Sequence, residues 1–154
     1  MEPRGGRPRF GASALWAMTS ALIALAGSCG AVVGQIPFSQ EGAGEATFQA
    51  QIGAVHFWTD FSAQYHGDMV AYFAVQLVQG DQVVSYAVCD PVHLGPSRIC
   101  TTRYWGIEQH EQHCRMACNG NVPRSGPTVV RARLWIPGRP VDLRLAQANL
   151  VVRQ

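Results

Sequence analysis

The chain has little charge and no lysine. Of its 154 residues 14% are charged, and all twelve basic residues are arginines. Low charge beside 47% apolar residues excludes a disordered polyelectrolyte, which needs the reverse balance. A formal net charge of +2 excludes nucleic acid as the main partner, because such domains carry a pronounced basic excess. The missing lysine reads as codon usage in a GC-rich genome rather than as chemistry. Common catalytic signatures are absent too. There is no Gly-x-Ser-x-Gly elbow, no His-Glu-x-x-His pair and no Gly-x-x-x-x-Gly-Lys phosphate loop. No stretch beyond residue 45 has helical apolar spacing, and nothing repeats internally. These absences predict a protein that is not an enzyme and holds no cofactor.

What charge there is sits unevenly. Arg4, Arg7 and Arg9 against Glu2 account for the whole net charge, and Phe10 to Gln40 carries none. A basic start, an apolar run from Gly11 to Ala26 and small residues after it predict a secretory signal peptide over residues 1–28. The alternative is an uncleaved single span, for which Thr19, Ser20, Gly27 and Ser28 make a marginal membrane segment. Ordinary cleavage fits Ala24-Leu25-Ala26, ahead of Gly27. Leu25-Ala26-Gly27-Ser28-Cys29 also resembles the lipobox of bacterial lipoproteins, in which the cysteine is acylated and becomes the mature N-terminus. The leucine stands four places before Cys29 rather than three, and Ser28 replaces the usual glycine or alanine.

Four further cysteines follow: Cys89, Cys100, Cys114 and Cys118. In an oxidising compartment an even number reads as two disulfides, leaving Cys29 for the lipid. Three connectivities are open. The expected one is nested, Cys89–Cys118 around Cys100–Cys114, because it staples a long excursion from both ends. Residues 29–44, glycine-rich and without periodicity, are expected to be a flexible tether, and residues 45–154 the folded domain.

That domain has an apolar period of two, which predicts strands. Phe48, Ala50 and Ile52 alternate with polar neighbours. Met69–Val78 and Val83–Cys89 flank Gly80-Asp81, a two-residue hairpin turn with glycine first. Simple pairing sets Val78 opposite Val83, Leu77 opposite Val84, Val75 opposite Tyr86 and Phe73 opposite Val88. Further strands are expected near 98–104, 128–136, 141–145 and 148–153. Val130, Ala132, Leu134 and Ile136 form one face of the 128–136 segment, and Arg131, Arg133 and Trp135 the other. A hairpin closing at Pro137–Pro140 would oppose Arg133 to Arg144, an unfavourable like-charge pair, so either a bulge shifts the register or the chain crosses between sheets there; the crossing is expected, because it suits a sandwich. Short alternating strands between Gly/Pro turns predict an all-β antiparallel sandwich, Ig-like or jelly-roll-like.

Three groups of residues carry possible chemistry. His110, His113, Cys114 and Cys118 have spacings that a zinc site uses, though not in the usual two-pair order, and export favours disulfides over zinc thiolates. His110, His113, Cys114 and Met116 lack the histidine that follows the cysteine in blue-copper sites, so copper is not expected. His56, Asp60, His66 and Asp68 lie close in sequence and read as polar strand-edge residues rather than an acid/base set. Trp58 and Trp135 with Arg131 and Arg133 are the residue types of interaction hot spots and form the candidate binding surface.

The order of segments resembles small secreted bacterial lipoproteins with a β-sandwich domain. The carriers are Leu25–Cys29, Phe57-Trp58-Thr59-Asp60, Ala87-Val88-Cys89-Asp90-Pro91 and Ala148-Asn149-Leu150-Val151-Val152. The resemblance implies an exported envelope protein held to the membrane by a lipid; the alternative anchor is the uncleaved N-terminal helix, and the Trp and Arg residues above point to a protein or glycan partner. It implies no catalytic residue.

Overall fold

Period-two burial runs through the chain from Ile36 onward, and every regular element among the described residues is a strand. The computed structural model describes residues 30–92, 99–138 and 140–154. Its strands are β1 (Val32–Phe38), β2 (Gly42–Ala50), β3 (Gly53–His66), β4 (Tyr72–Gln79), β5 (Gln82–Cys89), β6 (Ile99–Tyr104), β7 (Ile107–Val122), β8 (Gly126–Trp135) and β9 (Val141–Arg153). They form a five-stranded sheet, ordered β1-β9-β3-β7-β6, and a four-stranded sheet, ordered β2-β8-β4-β5.

The pairing is nested. β1 pairs β9, β2 pairs β8, β3 pairs β7 and β4 pairs β5, all antiparallel. That is one long hairpin, rolled until β9 also meets β3 and β8 also meets β4. β6 adds a hairpin strand on the outside of β7. Of the two sandwich types expected, this is the jelly roll.

Alternation explains the core. On β3, Val55, Phe57, Phe61, Ala63 and Tyr65 are buried at every second position. Phe73, Val75 and Leu77 on β4, Val130, Ala132 and Leu134 on β8, and Ala148, Leu150 and Val152 on β9 meet them in one cluster. The sheets approach closely at Gly120 of β7. A Cβ there would lie 2.5 Å from Leu77 Cδ1 and 3.3 Å from Phe57 Cζ.

Several expectations are corrected. The segment expected as a tether contains β1 and the start of β2. Ile36 and Phe38 are buried, but Pro37 between them breaks the visible strand pattern. Proline is tolerated because β1 is an edge strand, where a missing N–H breaks no ladder. β7, sixteen residues long, was hidden because its inward positions are polar or sulfur-bearing: His110, Gln112, Cys114 and Met116. The 141–145 and 148–153 strands are one continuous β9. The crossing at Pro137–Pro140 holds: β8 and β9 lie in different sheets. The leader and Cys29 lie outside the described residues.

The hairpin β4–β5 keeps its turn but not its simple register. Gly80 has φ 60°, as a glycine-first turn requires, and Val78 faces Val83. Leu77 then faces Ser85, not Val84, so Val84 is a β-bulge. Beyond it every residue of β5 changes face. Tyr86 lies opposite Gln76 and Val88 opposite Ala74, both outward, at 61% and 53% exposure. Cys89 turns inward and is bonded to Cys118 of β7, which joins the two sheets.

Candidate functional site

The outward positions of the four-stranded sheet form a grid set by the registers. Across one row lie Glu45, Arg131, Gln76 and Tyr86. The next row holds Ala43, Arg133, Ala74 and Val88. Beyond it Tyr72 lies beside Trp135, with ring centroids 6.1 Å apart and planes at 39°. The small side chains of Ala43 and Ala74 leave low ground between tall neighbours. Two shallow grooves result. One, of about 570 Å³, runs over Ala43 and Ala74 between Arg131, Arg133 and Tyr86. The other, of about 380 Å³, lies over Ala74 between Tyr72, Trp135, Arg133, Tyr86 and Val88.

The two arginines differ. Arg131 Nε lies 3.3 Å from Glu45 Oε2, and both side chains are more than half exposed. Such a pair contributes little to stability and partly neutralises that row. Arg133 has no ion pair among the described residues. It stands between the aromatic groove and the alanine floor with its donors available. Trp135 is 55% exposed, so its ring face is open.

Of the expected surface, Trp135, Arg131 and Arg133 share this face, and Trp58 does not. Trp58 points outward from β3 in the other sheet, between the His113 ring at 5.7 Å and the Arg153 guanidinium at 4.7 Å. Sequence reasoning missed Tyr72, Tyr86 and Val88. The bulge hid the last two. The signal that could have found them is Cys89: if it bonds across the core it must face inward, and counting back by twos puts Val88 and Tyr86 outside.

The cysteine expectations divide. The Cys89–Cys118 bridge is present, with Cα atoms 5.5 Å apart. Cys100–Cys114 is corrected: Cys114 is a free, buried thiol. The Cys100 backbone lies opposite Glu111, three register positions from Cys114, which is beyond the roughly 7 Å a disulfide can bridge. The Cys100 side chain is outside the described atoms. Cys114 instead ends an inward row in which Gln112 Nε2 donates to its Sγ and Gln112 Oε1 lies 3.2 Å from His110 Nε2.

The alternative metal set is not assembled. His110 and Cys114 face inward, Cys118 is oxidised, and His113 is exposed and bonded to Asp60. No cluster of three potential metal ligands exists among the described residues. His56, Asp60 and His66 are spread along the outward side of β3. His66 Nδ1 lies 3.5 Å from Asp142, while His56 faces Asn119 and Arg115. They form no shared acid/base site. Comparison with known protein families and with curated protein sequences gives no match.

Proposed function

We propose that the chain is an exported envelope protein, acylated on Cys29, that binds a glycan through the outer face of its four-stranded sheet and catalyses nothing. The observation that carries the binding reading is the open Trp135 ring, with Tyr72 beside it and Arg133 unpaired at the edge of the same groove. Sugar rings offer apolar C–H faces that stack on exposed aromatic rings, and hydroxyl or acidic substituents that a free guanidinium can bond. The groove volumes lie within the range of small-ligand sites. Trp and Arg together also mark the centres of binding surfaces. The acidic lining of both grooves is Glu45 alone, already beside Arg131. A lone paired carboxylate is a poor general acid or base, which supports a binding role.

The lipid anchor rests on the lipobox-like Leu25–Cys29 and on the basic, then apolar, leader. The count of cysteines no longer adds to it, since Cys114 is also free. Among the described residues β1 begins at Val32, so a lipid on Cys29 would hold the sandwich close to its membrane.

Titration of the mature protein with soluble cell-wall glycan fragments tests the binding reading. Saturable binding is expected, weakened at least tenfold by Trp135→Ala. Binding that Trp135→Ala and Arg133→Ala leave unchanged removes this face from the function. Binding to a protein but to no glycan makes it a protein interface instead. The mass of the mature N-terminus tests the anchor separately: an unmodified N-terminus at Gly27 removes it.

A further inference from the structure

The other sheet carries a second cluster at the pole where the chain enters. β3 places His56 and Trp58 outward. β7 sets Asn119 beside His56 and Arg115 beside Trp58. β9 sets Arg153 beside His56 from the opposite side. Two guanidinium groups thus flank one short stretch of β3. Neither has a carboxylate partner among the described residues. Arg115 Nη2 donates to His56 Nδ1 at 2.6 Å and to Asn119 Oδ1 at 3.1 Å, neither of which carries negative charge. Asp60, the acid at the next outward position of β3, is held by His113.

Two donors here are also unpaired. Trp58 Nε1 and Arg153 Nε are buried and have no hydrogen-bond partner. An N–H removed from water without an acceptor is costly, and both belong to the stacked Trp58–Arg153 pair. The covered Trp58 and Arg153 N–H groups mark a pair held close together, while two guanidinium groups without a carboxylate partner among the described residues leave positive charge that an oxyanion on their remaining N–H donors would neutralise. Guanidinium forks match phosphate and carboxylate oxygens geometrically.

The position selects the source. Arg153 lies opposite Val32, the first residue of β1, and Ala31 N donates to Gln154 O at 2.9 Å. Two residues, Gly30 and Ala31, link Cys29 to Val32, three backbone steps that reach about 10 Å at most. A lipid on Cys29 therefore brings this pole to the bilayer surface, where headgroup phosphates lie. We infer that Arg115 and Arg153, the latter stacked on Trp58, form an oxyanion site that takes an anionic lipid phosphate and orients the domain on its membrane. The membrane as source rests on the anchor proposed above; the oxyanion site does not. Arg131, Arg133 and Trp135 lie on the opposite outer face of the sandwich, so seating this cluster on lipid leaves the glycan grooves free.

The test uses the mature chain with Cys29→Ser, exported on an ordinary cleavable leader, so that no acyl chain contributes. Formation of the Cys89–Cys118 bond confirms folding of each variant. With inorganic phosphate, the Trp58 indole N–H resonance is expected to shift saturably, and not with chloride at equal ionic strength. Arg153→Gln is expected to abolish that shift. With phosphatidylglycerol vesicles, co-sedimentation is expected to fall roughly fivefold for each of Arg115→Gln and Arg153→Gln, and to be unaffected by Arg144→Gln. Absence of a phosphate-specific shift overturns the site. A shift with phosphate but vesicle binding insensitive to both variants overturns the membrane source and leaves a free oxyanion as ligand. An unacylated Cys29 in the wild-type chain removes the anchor without altering either readout.

Discussion

Cys89 at the end of β5 is bonded to Cys118 within β7, and the two strands belong to different sheets. The bond closes the open side of the jelly roll, where β5 is an edge and Ser85 Oγ accepts from Asn121 N at 3.2 Å. The bridged residues are 29 apart, a loop for which cross-linking contributes about 3–4 kcal/mol by restricting the unfolded chain. The double variant Cys89→Ala, Cys118→Ala should therefore lose about 2–5 kcal/mol in denaturant unfolding. Cys114, 1% exposed, should react with a thiol reagent only as the protein unfolds. A Cys114 that reacts at once in the native state contradicts its placement.

The bulge at Val84 allows a sharper test of register. Deleting Val84 removes the extra residue but leaves Ser85 opposite Leu77 and Tyr86 opposite Gln76, so Cys89 still faces inward. Deleting Ala87 instead advances Cys89 by one position and turns it to the outer face, since strand side chains alternate. The Cys89–Cys118 bond should form in the first variant and fail in the second, as read by non-reducing peptide mapping.

Much of this architecture was legible because alternation survives wherever a strand is apolar on one side. Val130 to Ile136, the Gly80-Asp81 turn and the crossing after Ile136 were all readable. Charge narrowed that corner to a bulge or a crossing, because Arg133 and Arg144 would otherwise have faced each other, and the expected sandwich selected the crossing. β7 was not legible: His110, Gln112 and Cys114 point into the core with Gln112 supplying their hydrogen bonds, so no apolar pattern marks the strand. β1 was obscured by Pro37 and Gly34. The candidate site was half visible. Trp135, Arg131 and Arg133 share a strand and hence a face, but Tyr72 and Tyr86 join them only through registers, and a single bulge reversed one of those.

Arg131 and Arg133 should contribute unequally to binding. Glu45 lies against Arg131, so removing Arg131 also frees a carboxylate, while Arg133 has only solvent to lose. Arg133→Ala should weaken glycan binding several-fold more than Arg131→Ala. Both substitutions are on the surface, so stability should change by no more than about 0.5 kcal/mol. The comparison is a pair of binding isotherms with matched thermal melts.

Trp105 sits at the tip of the β6–β7 hairpin with φ 50°, followed by Gly106 at φ 76°. Two consecutive positive φ values between Tyr104 and Ile107, which are paired, describe a two-residue turn that favours Asn-Gly. A bulky L-residue held in the left-handed region costs about 1–2 kcal/mol, and at 96% exposure Trp105 recovers none of it by burial. Trp105→Asn should therefore stabilise the fold by about 1 kcal/mol, seen as a raised denaturation midpoint at unchanged m. A loss of stability would show that Trp105 packs against something the isolated domain needs.

Gly120 is the position where the sheets leave no room. Leu77, 1% exposed, fills the space that a Cβ at 120 would need, with Cδ1 2.5 Å away. Gly120→Ala forces that side chain out of its place against Phe57, an overpacking change that costs about 1–3 kcal/mol. Leu77→Ala alone opens a cavity and costs about 2–5 kcal/mol. Together the two should cost less than their sum, because the new methyl occupies part of the space Leu77 vacates. A double-mutant cycle on unfolding free energies should show a favourable coupling of about 0.5–3 kcal/mol, the range for residues in contact. Strict additivity would mean that β7 retreats from β4 as a whole, and that the disulfide two residues away, at Cys118, does not hold the sheets at their present spacing.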